Sequence, residues 1–99
     1  MNKIKPILPG EILEEDFLKP LEITAYKLAK EINISATRIS EILKGKRKIT
    51  IDTALRLSKY FGNSVEFWLG IQNEYEIRIE KELLEKQLKN IHTLERVTA

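Results

Sequence analysis

The stretch that decides the fold spans residues 24–45 and reads TAYKLAKEINISATRISEILKG. Thr24 and Ser35 are residue types that cap helix N-termini. Their spacing predicts two short helices, over residues 25–32 and 36–44, separated by a tight turn. The apolar residues that would pack between the two helices are Leu28, Ala29, Ile32, Ile34, Ile39 and Ile42. Two short helices that share one apolar side, with a second side left outward, are typical of a helix-turn-helix.

Helix signals recur on both sides of this stretch, and strand alternation is nearly absent. The pattern predicts a first helix over residues 11–18, which we expect Pro20 to end. It also predicts a fourth helix over residues 51–61 and a fifth that starts at Val65. The residues expected to cap the last two helices are Thr50 and Ser64, and Gly45 is expected to end the third. The sequence therefore predicts an all-α domain of five helices over residues 1–75.

A change of composition after Tyr75 marks the expected domain boundary, because charges of both signs alternate beyond it. The last 24 positions, residues 76–99, are predicted to form a C-terminal helical extension and tail. An apolar stripe at helical spacing supports the extension. Its members are Ile77, Leu84, Leu88 and Ile91.

Composition excludes several classes of function. The chain has 99 residues, a formal net charge of +2 and no cysteine, which excludes disulfides, thiolate zinc sites and thiol nucleophiles. His92 is the only histidine and has no metal-ligand pattern near it, so we expect no metal and no cofactor. No apolar run is long enough to cross a membrane, and residues 1–6 do not resemble a signal peptide, so we expect a cytoplasmic protein.

An enzyme is not expected either. The sequence shows no nucleophile paired with a base, no carboxylate pair in a cleft-forming pattern and no glycine-rich phosphate loop. Thr50 and Asp52 are residue types found in active sites. A helix cap and an acid in the first helical turn explain them better.

Charge is sorted into blocks. Residues 9–22 carry mostly acids, which we interpret as a solvated surface, and residues 36–48 carry mostly bases. The basic block contains the third helix, whose outward face we expect to be Ala36, Thr37, Arg38, Ser40, Glu41 and Lys44. A polar helical hairpin without DNA affinity would show the same apolar spacing. The basic cluster directly after the third helix favours DNA binding.

Each residue type on this face suits a contact in the major groove. Ala36 and Thr37 are slim and can touch a thymine methyl, and Arg38 can bind guanine O6 and N7 or a phosphate. Glu41 can accept a hydrogen bond from cytosine N4, or it can orient Arg38 one turn back. The residues expected to meet the DNA backbone are Lys44, Lys46, Arg47 and Lys48 on one side, with Tyr26 and Lys27 on the other.

Residues 8–75 resemble the HigA/VapI group of antitoxins, a branch of the Xre-type, phage-repressor-like helix-turn-helix family. The residues that carry the resemblance are Pro9-Gly10-Glu11-Ile12-Leu13, Phe17-Leu18, Pro20-Leu21, Leu28-Ala29-Lys30, Arg38-Ile39, Gly45-Lys46-Arg47, Ile49-Thr50-Ile51-Asp52-Thr53-Ala54-Leu55-Arg56-Leu57, Phe61-Gly62-Asn63-Ser64, Glu66-Phe67-Trp68-Leu69, Gln72 and Tyr75. Two residues depart from the family pattern: Glu22 stands where glycine is common, and Ala25 stands where many relatives carry glutamine.

The resemblance implies a lambda-repressor-like fold and a function. Proteins of this group are usually dimers that bind a palindromic operator and repress their own operon. They also bind and neutralise a small RelE-like toxin that cleaves messenger RNA. The same resemblance places DNA contact on the outward residues of the third helix, with residues 46–48 near the DNA backbone.

A palindromic operator with half-sites about 34 Å apart requires a two-fold dimer. The fifth helix carries more apolar surface than a small core needs. The residues expected in the dimer contact are Val65, Trp68, Leu69, Ile71 and Tyr75. For Phe67 and Trp68 the alternative is that they close the domain core, because aromatic residues on helices usually lie inside.

Two other functions are alternatives to an antitoxin that binds both DNA and a toxin. One is a stand-alone transcriptional regulator without a toxin partner, which the neighbouring gene would distinguish from an antitoxin. The other is a protein-binding antidote that has lost DNA affinity. Arg38 and the basic cluster over residues 44–48 argue against that second alternative.

Overall fold

The computed structural model describes residues 5–95, and all the regular structure in that range is helical. The helices are α1 (Pro9–Leu21, in three parts), α2 (Ala25–Glu31), α3 (Ala36–Leu43), α4 (Ile51–Phe61), α5 (Val65–Leu83) and α6 (Glu85–Lys89). The all-α prediction is confirmed, with five helices in the domain and helical structure in the extension. Residues 1–4 and 96–99, which include most of the segment tested for a signal peptide, lie outside the described range.

Helix α1 differs most from its prediction. It begins as an α-helix over Pro9–Ile12, becomes a π-helix over Leu13–Leu18 and is α-helical again over Lys19–Leu21. The expectation that Pro20 ends the helix is wrong, since the helix passes through it. In an α-helix the proline ring would clash with the carbonyl four residues back. In the π-helix over Leu13–Leu18, N–H groups bond to the carbonyl five residues back, which changes the hydrogen-bond pattern just before Pro20.

All four capping residues predicted from the sequence are confirmed. The side-chain oxygens of Thr24, Ser35, Thr50 and Ser64 each accept a hydrogen bond from the backbone N–H three residues on, at 3.0–3.3 Å. These bonds satisfy amides that a helix start otherwise leaves without a partner. The starts of α2, α3, α4 and α5 are therefore set by local sequence.

Helices α1, α2 and α3 end in the same way, with a residue in the left-handed conformation. These residues are Glu22 at φ 54°, Asn33 at φ 60° and Gly45 at φ 78°. After α3, for example, the N–H of Lys46 donates to the carbonyl of Glu41, which is the Schellman pattern. Glycine and asparagine adopt this conformation readily, but glutamate does not. Glu22, one of the two departures from the family pattern, therefore lies where the backbone favours glycine.

The core is built around Trp68, which is fully buried. Its ring lies 4.8 Å from the ring of Phe17 and 5.0 Å from that of Phe67, and its indole N–H donates to Asn63 Oδ1 at 2.8 Å. A side chain enclosed in this way does not reach a second subunit. The expectation that Trp68 belongs to the dimer contact is therefore wrong, and its interpretation as a core residue is confirmed.

Gly10 allows α1 to pack directly on the end of α3. A Cβ atom at this position would overlap the carbonyl oxygen of Ile42 and would lie 2.8 Å from the Cα of Leu43. Only glycine leaves space for such a close approach of two backbones. This contact fixes the inner side of the third helix against the domain.

Helix α5 is the longest helix, with 19 residues. It begins in the core and crosses the predicted boundary after Tyr75 without interruption, so the extension continues a helix of the domain. Beyond that boundary most side chains are exposed, including those of Ile77, Leu84 and Leu88 in the apolar stripe.

Candidate nucleic-acid interface

Helix α3 buries one side and presents the other. Ile39 and Ile42 are in the core, whereas Ala36 and Thr37 are exposed at the start of the helix. The outward side chains form one shallow concavity. It is lined by Ala36, Thr37, Ser40, Glu41, Lys44 and Lys46. The structure thus brings together most of the residues that the sequence predicted for base contact, with a lysine from the following loop at their edge.

Arg38 does not belong to this outward face. Its Nη2 atom lies 2.9 Å from Oδ1 of Asp52 and 2.7 Å from Oγ1 of Thr53, both at the start of α4. The side chain is only 25% exposed. The expectation that Arg38 faces outward on α3 is therefore wrong in this structure, because its guanidinium bonds to the neighbouring helix.

Asp52 joins α4 to α3, and Arg56 extends the same network to the turn between α2 and α3. Besides Arg38, it accepts a hydrogen bond at 2.8 Å from Nε of Arg56, which lies one turn further along α4. The hydrogen bonds from Arg56 and then from Arg38 lower the pKa of the Asp52 carboxyl. Arg56 also donates to the carbonyls of Ile32 and Asn33, at 2.8 and 3.3 Å, in the turn between α2 and α3. The network therefore holds the turn and α3 at a fixed angle to α4.

The carboxylate of Glu41 binds Arg47 and not Arg38. Nε and Nη2 of Arg47 each lie 2.9 Å from Oε1 of Glu41. The interpretation that Glu41 orients Arg38 is thus wrong, since Arg38 is held on the other side by α4. The loop after α3 therefore brings its arginine to the carboxylate of Glu41, one of the residues of the outward concavity.

The basic loop, residues 44–48, is fastened to α5 by a buried glutamine. Oε1 of Gln72 accepts the backbone N–H of Ile49 at 2.9 Å, and both residues are buried. Nε2 of Gln72 donates to Glu76 at 2.9 Å, and Nζ of Lys48 lies 4.0 Å from the same carboxylate. Lys44, Lys46 and Lys48 are themselves exposed. Gln72 thus positions the lysines next to the outward face of α3.

The remaining predicted residues differ in how exposed they are. Tyr26 and Lys27 are exposed in the first turn of α2. The residues of α5 expected in a dimer contact, Trp68 apart, are half-buried: Val65, Leu69, Ile71 and Tyr75. Phe67 on the same helix is 39% exposed. Their roles in binding DNA or a second subunit stay predictions.

Sequence reasoning missed the importance of Asp52, Arg56 and Gln72. The four-residue spacing of Asp52 and Arg56 on one helix was a usable signal for an ion pair. Nothing in the sequence paired Gln72 with an amide 23 positions earlier. Within residues 5–95, no group of three or more His, Cys, Asp and Glu side chains could hold a metal ion. None of the described helices is long and apolar enough to span a membrane.

The chain belongs to the helix-turn-helix family, whose sequence model matches residues 15–68. This is a family of DNA-binding regulators and antitoxins and not of enzymes. Virulence-associated protein I of Dichelobacter nodosus is 44% identical over 90 residues, which are 91% of this chain and 82% of that protein. The resemblance to the HigA/VapI group is confirmed.

Two solved structures extend the comparison to the fold. The Pseudomonas aeruginosa antitoxin HigA, solved with the higBA promoter, matches with a TM-score of 0.87 and 36% identity, over 91% of this chain and 99% of that one. The antitoxin GraA in complex with its operator matches with a TM-score of 0.85 and 30% identity, over 97% and 98% of the two chains. The five-helix, repressor-like fold is therefore confirmed.

Proposed function

We propose that this chain is the antitoxin of a type II toxin–antitoxin system. It binds the operator of its own operon as a homodimer and represses transcription. It also binds and neutralises a small RelE-like toxin that cleaves messenger RNA. The DNA-binding half of this proposal is supported by the site, and the toxin-binding half by the likeness to HigA antitoxins. A protein with this function works in the cytoplasm.

The observation that carries the proposal is the surface formed by α3 and the basic loop. Small side chains at Ala36, Thr37 and Ser40 give α3 a slim outer side, which suits a major groove about 12 Å wide. Lys44 and Lys46 stand at the edge of that side, where the phosphates of a bound duplex lie. The surface therefore offers base contacts in the centre and charge at the rim.

Further residues extend the contact on both sides. Lys48, after the rim lysines, and Tyr26 and Lys27, at the start of α2, meet the DNA backbone. The dimer forms through the exposed parts of α5, with Val65, Leu69, Ile71 and Tyr75 in or next to the contact. Since a two-fold dimer presents two copies of α3, the operator contains an inverted repeat with half-sites about 34 Å apart.

The DNA-binding half is tested with a duplex from upstream of the chain's own gene. We expect the protein to bind it at least about 10³-fold more tightly than a scrambled duplex of equal composition, measured by fluorescence anisotropy at physiological salt. The logarithm of the binding constant should fall with the logarithm of salt concentration, by about 0.9 per phosphate contact. Equal affinity for both duplexes would contradict sequence-specific binding.

The toxin-binding half needs a separate experiment. The chain is tagged in its native cell, and the proteins that co-purify are examined for a small basic protein encoded next to its gene. We expect such a protein to co-purify and to cleave messenger RNA in a translation extract unless this chain is added. Operator binding without such a partner would instead support the stand-alone regulator.

A further inference from the structure

The ion pair between Glu41 and Arg47 joins the surface of α3 that would enter the major groove to the loop that follows it. Glu41 lines the outward concavity of α3, and two contacts of 2.9 Å hold the guanidinium of Arg47 against the Glu41 carboxylate. Arg47 itself lines the adjacent depression, together with Lys46. The side chains are 37% and 50% exposed. Exposed ion pairs contribute little to folding stability, so DNA can change their orientation without unfolding the helix.

Charge gives this pair a different role from the lysines around it. An isolated carboxylate facing DNA would be repelled by phosphates, and an isolated arginine would bind any phosphate. When Glu41 and Arg47 are paired, their charges cancel, and attraction to an arbitrary phosphate is weak. The pair contributes most to binding free energy where the DNA offers an acceptor to the guanidinium and a donor to the carboxylate at the same place.

A G·C base pair offers this combination at its major-groove edge. Guanine presents two acceptors, O6 and N7, in the geometry of an arginine fork, and cytosine presents the N4 amino group as a donor. Both contacts of Arg47 use Oε1 of Glu41, and a carboxylate has lone pairs on two oxygens, so it can accept a further donor.

The other arginine of this region is less suited to the task. Arg38 is the only arginine of α3, and its guanidinium bonds to Asp52 and Thr53 on α4. A base contact by Arg38 would have to break these bonds. Arg47, by contrast, is bonded to Glu41, which lines the outward concavity.

We propose that Glu41 and Arg47 together read one G·C base pair in each half-site. Arg47 donates to O6 and N7 of the guanine, and Glu41 accepts from N4 of the cytosine. The inference rests on the proposed operator binding, and it makes Arg47 a base contact where the sequence had suggested a contact with the DNA backbone.

The test is a selection from a pool of randomised duplexes with the purified full-length protein. We expect the wild-type protein to select an inverted repeat with one strongly preferred G·C pair per half-site. Arg47→Ala should lose the preference at that position and keep it elsewhere. In direct binding, replacing the G·C pair by A·T should cost the wild-type protein about 5- to 150-fold in affinity and the variant much less.

Two further variants separate charge from geometry. Arg47→Lys keeps the charge but cannot form the fork, so we expect it to lose the same preference while the salt dependence stays unchanged. Lys46→Ala is the matched control from the same loop. It should weaken binding to every duplex and lower the salt slope by about 0.9, with the selected sequence unchanged.

Opposite results would overturn the inference. If Arg47→Ala and Arg47→Lys select the same sequence as the wild-type protein, Arg47 does not read a base, although operator binding still stands. If the wild-type protein selects no sequence, the proposed function and this inference fail together. Circular dichroism spectra of all variants exclude loss of folding as the cause.

Discussion

Replacing Gln72 by methionine should destabilise the domain, because it removes the acceptor of a buried amide. Gln72 is 7% exposed, and its Oε1 lies 2.9 Å from the backbone nitrogen of Ile49, which is 1% exposed. Water does not reach this amide, so the variant leaves a buried donor without a partner. Such a group costs about 1–3 kcal/mol of unfolding free energy. Methionine has a similar length, so the change in packing is small.

The measurement is thermal unfolding followed by circular dichroism. For a domain of this size, 1 kcal/mol lowers the unfolding temperature by about 4–8 °C, so we expect a decrease of about 4–24 °C. At a temperature where the variant is still folded, operator affinity should also fall, because the basic loop loses its attachment to α5. An unfolding temperature equal to that of the wild-type protein would refute the reasoning.

Two further variants serve as comparisons for Gln72→Met. Asn73→Met makes a similar change at the exposed neighbouring position and should alter the unfolding free energy by less than about 0.5 kcal/mol. Gln72→Glu keeps an oxygen acceptor but places a carboxylate beside Glu76. The like charge raises the pKa of the pair in the folded state, so this variant should regain stability as the pH falls and one carboxylate takes up a proton.

Three further changes test other contacts. Gly10→Ala forces a Cβ against the carbonyl of Ile42, so urea unfolding should show a loss of about 1–3 kcal/mol or more, and an unchanged midpoint would contradict the close approach. Glu22→Gly removes the backbone strain of a glutamate in the left-handed conformation, because glycine has no Cβ atom. It should therefore raise the unfolding free energy by about 0.5–1 kcal/mol, and a decrease would contradict this. The lowered pKa of Asp52 stabilises the fold above the usual aspartate pKa of 3.8, and this effect is lost as the pH falls below 3.8 and through the lowered pKa. The stability gap to Asp52→Asn should therefore narrow as the pH falls through that range, whereas a constant gap would argue against the ion pairs.

Local sequence was enough to predict where α2, α3, α4 and α5 begin. A cap is a contact between residues three positions apart, so Thr24, Ser35, Thr50 and Ser64 carry the whole signal in a short window. The outward face of α3 followed from helical periodicity in the same way. It was correct apart from Arg38.

The features that the sequence did not predict depend on contacts between distant positions. Arg38 binds residues 14 and 15 positions away, and Gln72 binds an amide 23 positions away. Periodicity gives the side of a helix on which a residue lies, but a long arginine can bend round to a neighbouring helix. Apolar spacing likewise did not decide whether Trp68 belongs to the core or to a dimer contact, because both need the same residue type.

The hydrogen bonds of α5 set a limit on where this chain can be divided. The predicted domain boundary follows Tyr75, but Gln72 donates to Glu76, one residue further. A truncation or a fusion junction placed after Tyr75 would remove the carboxylate that holds the amide group of Gln72. The minimal unit for expression therefore extends at least to Glu76, beyond the predicted domain boundary.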